Sequence, residues 1–312
     1  MNRFVVASPG LLTTFQDLGR EAMLKYAISA AGAMDQTAVR LVNLLLGNCE
    51  DAAVLETTMT GLKLRALADG WIAVGGADLG LMVNGRQAPM WTVLKIREGD
   101  VIAFHEMRSG IRAYLGVPGG FDAPLMLGSR SVYLRGGLGR ALKRGDEITA
   151  LLDGRRMVKA DRTLPVRFVP EHDMRIPFRV LPGPQLDYFS ARGIEVFSTA
   201  AYTVSPVSDR QGIRTRGPSI ERVKGPDIIT DPTPMGAIQV PGSGVPIILH
   251  RDAQVTGGYA KIAILCRTEL DRAGQLGPGD KVRFEVVSRS TALDRLKVWH
   301  HRMAEARRVL SP

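Results

Sequence analysis

Ten consecutive residues carry most of the chemistry the chain can offer. Asp252, Gln254, Thr256, the Gly257-Gly258 pair, Tyr259 and Lys261 bring a carboxylate, an amide, two hydroxyls and an ammonium beside paired glycines. Groups of these types polarise and orient carbonyl or phosphoryl oxygens, and glycines let a backbone approach a ligand closely. The same stretch also fits a tight turn between barrel strands, with the glycines supplying positive φ and Tyr259 packing. Ser208-Asp209-Arg210-Gln211-Gly212 is a second dense polar cluster. Gln16-Asp17-Leu18-Gly19-Arg20 is a third, whose Asp17 and Arg20 pair with each other or face a ligand.

Several chemistries are excluded. There is no G-x-x-x-x-G-K-[ST] loop, no G-x-G-x-x-G between strand and helix, and no G-x-S-x-G elbow. His300 and His301 lie about 100° apart on a helix and cannot share a face. His105, His172 and His250 are isolated and read as satisfied or exposed, so no zinc cluster or other metal site is expected. Cys49 and Cys266 sit in unrelated apolar contexts and read as two buried thiols. No window reaches a membrane-spanning length and the N-terminus lacks a signal-peptide core, so a cytoplasmic location is expected. The formal charge is +10, yet arginines are dispersed and aromatics few. That pattern argues against nucleic acid and for a solvated surface or an acidic partner protein.

The elements that must position these groups are mostly short strands. Thirty-four glycines and eighteen prolines are scattered over 312 residues and imply many turns. Strands are expected at Phe4–Val6, Leu11–Phe15, 53–56, 62–66, 71–74, 79–83, 178–181 and 202–205, with an Asn84-Gly85 hairpin turn. Ala237–Val240 and Pro246–His250 form a strand pair leading into the polar, glycine-rich loop. One helix opens at Asp35 as N-cap, carries the Ala38, Leu41, Val42, Leu45 stripe, and stops at Gly47. Pro184 can begin a short helix. A Gly-Asp cassette recurs at Gly99-Asp100, Gly145-Asp146 and Gly279-Asp280, each time before an alternating strand. We assign those aspartates a structural role only.

Glu56-Thr57-Thr58-Met59-Thr60-Gly61 and Asp231-Pro232-Thr233-Pro234-Met235-Gly236 share an acid followed by glycine five residues on, and each precedes strands and a Gly-Gly pair. Two related domains follow, with a cleft between them as the expected ligand site. The expected boundaries are residues 1–152, a linker or excursion at 153–177, a second domain at 178–288, and a basic amphipathic helix at 289–312. That helix is expected to be capped by Thr291 with Asp294 and to dock through Leu293, Leu296 and Met303.

Residues 10–20 (Gly10-Leu11-Leu12-Thr13-Thr14-Phe15-Gln16-Asp17-Leu18-Gly19-Arg20), Gly32-Ala33-Met34-Asp35, Pro118-Gly119-Gly120-Phe121-Asp122, Leu181-Pro182-Gly183-Pro184-Gln185, Gly236-Ala237-Ile238-Gln239-Val240-Pro241 and Gly257-Gly258-Tyr259 occur in order. Together they resemble the carboxyltransferase subdomain C/D family. It includes allophanate hydrolase subunit 2, KipA-like proteins and the C subunit of 5-oxoprolinase. The resemblance runs from about residue 4 to about residue 287. It implies a mainly β fold of two cyclophilin-like β-barrel domains with a few short helices.

It also implies a KipI-like subunit 1 partner and a LamB/YcsF-type subunit, together forming an ATP-dependent 5-oxoprolinase, with Mg alongside ATP. In that setting Arg210 and Lys261 would neutralise phosphoryl charge, and Asp209 or Asp252 would position metal or water. Gln239, Gln254, Thr256, Gly257, Gly258 and Tyr259 would hold the substrate. The alternatives are a KipA-like antagonist of a KipI-like partner and the carboxyltransferase part of a biotin-dependent, urea-type carboxylase. The chain has no biotin attachment site, since Glu21-Ala22-Met23-Leu24-Lys25 places Leu24 between Met23 and Lys25. Val255 and Ala260 depart from the family's Thr-Thr-Gly-Gly-Tyr-Pro run.

Overall fold

The structure is a computed structural model and describes residues 2–151, 158 and 162–310. The described chain is mainly β and groups into two units. The first comprises residues 1–20, 31–171 and 302–312, and the second residues 21–30 and 172–301.

In the first unit, alternation decides which side chains turn inward. Along Leu62–Ala66 the leucines and Ala66 are buried while Lys63 and Arg65 are exposed. This strand sits in a six-stranded sheet ordered Glu147–Thr149, Arg3–Pro9, Leu62–Ala66, Val101–Phe104, Leu81–Val83, Arg86–Gln87. A five-stranded sheet runs Leu12–Gln16, Val54–Thr58, Ser109–Gly116, Gly70–Asp78, Val93–Ile96. The chain passes from one sheet to the other between Pro9 and Leu12, and again between Asp78 and Leu81, so both sheets enclose one core around Phe4, Leu64, Val74, Leu115 and Phe121. The helix Gln36–Leu45 begins as expected, with the Asp35 side chain accepting from the Ala38 N–H at 2.9 Å. Asn84 and Gly85, at φ 51° and 75°, turn the expected hairpin.

The three Gly-Asp cassettes are one turn used three times. The N–H of Asp100, Asp146 and Asp280 bonds the carbonyl three residues back, at 3.0, 3.1 and 3.1 Å. Each carboxylate accepts the N–H of that same residue at 2.8 Å. The glycine between them has φ of 86°, 89° and 93°, a conformation that a Cβ would strain.

The second unit is built on an eight-stranded sheet ordered Lys281–Val282, Tyr202–Val204, Gly212–Arg216, Ile247–Leu249, Ala237–Gln239, Lys261–Leu265, Phe178–Pro182, Phe284–Val286. Its two edge strands are consecutive in sequence and separated only by Arg283, so the sheet curls almost shut as a barrel. Phe178, Val180, Ile238, Ile248, Ile262 and Phe284 fill its interior. The helix Ala191–Thr199, which sequence reasoning does not find, is capped by Ser190 and sets Phe197 in a stack on Phe284 at 4.6 Å. A separate ribbon pairs Asp227–Pro232 with Thr256–Tyr259.

Three expectations change. Cys49 is exposed, because it lies in the turn beyond the helix rather than on its apolar stripe, while Cys266 is buried. The C-terminal helix starts at Arg289, two residues before the expected cap, so Ser288 Oγ takes the Thr291 N–H at 3.1 Å and Asp294 instead pairs with Lys297 at 2.9 Å. On that helix Met303, Ala306 and Leu310 are buried, whereas Leu293 is exposed and Leu296 half-buried. The linker reading of residues 153–177 falls partly outside the described residues. Of the rest, Val166–Phe168 is a 3-10 turn with Phe168 buried, within the first unit. Among the described residues no helix is long and apolar enough to cross a membrane.

Candidate functional site

The site begins with a register. In the second unit Ile238 pairs with Ile248 and Ala263, and Gln239 stands opposite Lys261 across adjacent strands. The register shifts between Ile238 and Gln239, so strict alternation is broken: Ile238, Ile262 and Ala263 belong to the barrel core, and Gln239 and Lys261 stand side by side outside it. Both are buried there, at 2% and 0% exposure, because the two-stranded ribbon lies over them.

That ribbon replaces the polar loop expected at residues 251–261. Gly257 and Gly258 lie in the strand Thr256–Tyr259, and neither is among the positive-φ glycines. Gly257 is needed for closeness instead. A Cβ there would stand 2.7 Å from Gln239 Nε2, 3.0 Å from Thr233 Cγ2 and 3.5 Å from Gln254 Nε2. Gln239 Nε2 is buried without a hydrogen-bond partner, so one strong donor points at the Gly257 backbone unspent.

Asp231, on the facing ribbon strand, pairs in register with Gly257 and accepts from Lys261 Nζ at 2.9 Å and Gln185 Nε2 at 3.3 Å. Gln185 Oε1 in turn accepts the Lys261 N–H at 3.2 Å. The Lys261 ammonium holds the Asp231 carboxyl below the usual carboxylate range. The pair is lopsided: the lysine side chain is 1% exposed and the aspartate 42%, so solvent reaches the cluster at Asp231. A buried cation, an unspent amide donor and an ionised carboxylate at the mouth form a set that can grip and polarise a carbonyl or phosphoryl oxygen and orient water.

The other expected residues form a neighbouring brace. Arg210 and Asp252 are both buried and bind each other in a fork, Nε–Oδ2 at 3.0 Å and Nη2–Oδ1 at 3.1 Å. The Asp252 N–H also bonds the Arg210 carbonyl at 3.0 Å. Asp209 is exposed and its Oδ1 accepts the N–H groups of Gln211 and Gly212, fixing the turn before the strand Gly212–Arg216. Gln211 Nε2 reaches Gln254 Oε1 at 2.7 Å, and Thr233 Oγ1 donates to the Gln254 carbonyl, tying brace to ribbon. Thr256 and Tyr259 are exposed on the ribbon.

The structure therefore brings Gln239, Gln254, Gly257 and Lys261 together, sets Arg210 and Asp252 on each other, and leaves Asp209 in a turn. Sequence reasoning misses Gln185, Asp231, Thr233 and the wholly buried Arg251. Asp231 is visible as the acid of the internal echo and Gln185 in the Pro-Gly-Pro-Gln run, but nothing in either pattern says that both meet Lys261.

Elsewhere, Asp17 is a structural hub that accepts from Gly19 N, Ser129 Oγ, Arg130 N and Ser131 Oγ. Arg20 donates to the Met126 and Ser131 carbonyls. His250 is a satisfied core histidine: its Nδ1 accepts the Arg251 N–H, so its Nε2 donates to the Leu270 carbonyl. The first unit holds a cavity of about 250 Å³ over Phe15, Met126, Val132 and Leu142, rimmed by the Arg130–Asp122 and Arg140–Asp146 pairs and by none of the candidate residues. Among the described residues no three His, Cys, Asp or Glu side chains converge as a metal site.

Residues 26–286 match the family described as carboxyltransferase domain, subdomain A and B. The chain belongs to this family. Its subdomain letters are A and B, where the sequence motifs point to C and D. This carboxyltransferase-domain chain is 33% identical over 290 residues to the C subunit of 5-oxoprolinase from Escherichia coli (strain K12), covering 91% of each chain. It is also 33% identical over 279 residues to the corresponding 5-oxoprolinase protein of Haemophilus influenzae, covering 88% of each. Among solved structures, the urea amidolyase of K. lactis superposes with a TM-score of 0.89 at 28% identity over 97% of this chain. The chain spans 20% of that larger protein.

Proposed function

We propose that this chain is the C subunit of an ATP-dependent 5-oxoprolinase, a hydrolase complex that opens 5-oxo-L-proline to L-glutamate. The observation that carries this reading is the length of the match: 91% of this chain aligns with 91% of a protein named as the C subunit of 5-oxoprolinase. The urea amidolyase of Saccharomyces cerevisiae, by contrast, is matched over only 16% of its length.

A lactam resists water because its carbonyl is stabilised and its nitrogen leaves poorly. Transfer of a phosphoryl group from ATP to the carbonyl oxygen gives an O-phosphorylated imidate. One water adds to its carbon and the C–N bond breaks, with the proton going to nitrogen, which opens the ring to an acyl phosphate. A second water cleaves that acyl phosphate to glutamate and phosphate. In this reading the Gln239 amide donates to the substrate and Lys261 faces the charge that develops on oxygen. Asp231, held ionised by Lys261 and reached by solvent, orients the attacking water. Gln185 and Gln254 hold these groups in register. Asp252 has both oxygens on Arg210, so the Arg210–Asp252 fork acts by fixing the 250–254 backbone. Mg would accompany the nucleotide phosphates.

The partners in this proposal are the KipI-like subunit 1 and a LamB/YcsF-type protein, in the cytoplasm. The test is co-purification of all three and assay of ADP and glutamate from ATP plus 5-oxoproline. Turnover that needs all three proteins supports the reading. Tight binding of subunit 1 without turnover would instead favour a KipA-like antagonist. The urea amidolyase superposition favours one further alternative, carboxyl transfer, which predicts activity only with an added biotin carrier.

A further inference from the structure

Arg251 is the largest fully buried side chain among the described residues, at 1% residue exposure. Its Nε, Nη1 and Nη2 all lie buried without a hydrogen-bond partner. A guanidinium carries five N–H donors in a rigid fork, and burying it with none of them used is strongly unfavourable unless something compensates. The nearest compensation is partial. Glu21 Oε1 stands 3.7 Å from Nη1, beyond hydrogen-bond reach, and that carboxylate is 63% exposed to solvent. Arg267 and Arg210 act against the charge on Arg251, while Asp271 and Glu21 favour it. Burial pushes the guanidinium down to about 10, which still leaves it charged at neutral pH. Nothing in the oxoprolinase reading uses it.

We propose that Arg251 is the floor of a second, buried site for a small oxyanion, whose two oxygens would fill the guanidinium fork that Glu21 only approaches. Carboxylate and phosphate share the geometry such a fork selects. The carboxylate nearest the fork sits at the start of the 3-10 helix Glu21–Tyr26, none of whose residues is buried. Beyond it the segment is held to residue 253 by Ser29 Oγ on the Ala253 carbonyl at 2.6 Å. The site lies one residue from the Asp252–Arg210 fork, but the inference stands on Arg251 alone and does not depend on the reaction proposed above.

The experiment is thermal unfolding of the full-length chain in sodium phosphate, in sodium acetate and in sodium chloride at matched ionic strength, for wild type, Arg251→Met and Glu21→Gln. Wild type should melt several degrees higher in phosphate or acetate than in chloride. Response to phosphate alone makes the ligand a phosphoryl group, response to acetate alone a carboxylate, and response to both a general oxyanion site; each supports the proposal. Arg251→Met keeps the side-chain volume while removing a buried charge, a change that tends to stabilise. Its melting point in chloride should equal or exceed that of wild type, and the anion response should vanish. Glu21→Gln removes the competing carboxylate and should tighten anion binding severalfold. The proposal fails if wild type shows no anion-specific shift, or if Arg251→Met keeps that shift. It also fails if Arg251→Met melts several degrees lower in chloride, which would make the Glu21–Arg251 pair a structural bridge.

Discussion

Gly257 shows how narrowly one residue can set the site. Its missing side chain leaves the Gln239 amide unobstructed, and any Cβ would sit 2.7 Å from Gln239 Nε2. The end of a glutamine can swing, so Gly257→Ala should cost no more than about 1–2 kcal/mol in stability, the range for modest overpacking. Activity of the reconstituted complex should fall further, by roughly tenfold or more, because the displaced amide is a substrate donor in the proposed mechanism. Urea unfolding alongside ADP release checks both halves, and unaltered turnover would remove Gln239 from the site. Lys261→Met tests the neighbouring cation. Methionine fills the lysine's space, and Asp231 is exposed enough to hydrate, so stability should stay within about 1 kcal/mol of wild type. Turnover should drop about 100-fold or more, the loss typical of a missing charge stabiliser. Lys261 is legible in the sequence because it closes a run of polar residues after paired glycines. Its partner is not. Asp231 lies thirty residues away and meets Lys261 only through the pairing of Asp227–Pro232 with Thr256–Tyr259, a long-range contact that leaves no local periodicity.

Single elements are legible where local physics decides them. The Asp35 cap, the Asn84-Gly85 hairpin and the three Gly-Asp turns each depend on residues within a few positions, and all form as the sequence implies. The helix Ala191–Thr199 escapes because only Gly193 and Phe197 are buried, too few to print a stripe. The C-terminal helix has the opposite problem. Its apolar spacing runs its whole length, yet burial is confined to Met303, Ala306 and Leu310. Met303→Ala should therefore cost about 2–5 kcal/mol, as deletion of a buried methionine does. Leu293→Ala should stay within about 0.5 kcal/mol. Equal losses from both would show that the exposed half is covered in the folded protein.

The same helix carries a pH dependence. Glu50 accepts from Arg307 and Arg40, and those bonds hold its carboxyl below its ordinary 4.5. A carboxylate with a depressed folded pKa stabilises above its unfolded value and loses that contribution as pH falls through the folded one. Wild type should thus exceed Glu50→Gln in stability at neutral pH, with the gap closing as pH drops below 4.5. A gap that stays constant down the acid limb of paired denaturation curves would show that the effect is not ionic.

At the scale of the molecule, the chain groups into two compact units, each assembled from segments that are not contiguous in sequence. Residues 302–312 complete the first unit and residues 21–30 belong to the second. Repeats in sequence report strands and turns, whereas membership of a core depends on which distant segment happens to fill it, and Met303 or Leu310 give no local sign of that. The echo is itself uneven. Glu56 lies in a fully buried central strand and accepts from Tyr114 and Met34, while Asp231 lies in the mostly exposed ribbon. Dividing the chain after Glu171 should therefore yield an incomplete first unit. Fragment 1–171 lacks Met303 and Leu310, each worth about 1.5–3 kcal/mol of burial. It also lacks the Arg307 and Arg302 contacts to Glu50, Arg167 and Val169. Its unfolding midpoint should lie well below that of the first unit in the intact chain, and appending residues 302–312 through a flexible linker should recover much of the difference. If fragment 1–171 melts as cooperatively and as high without that segment, the C-terminal turns are a surface addition and the first unit ends where its strands do.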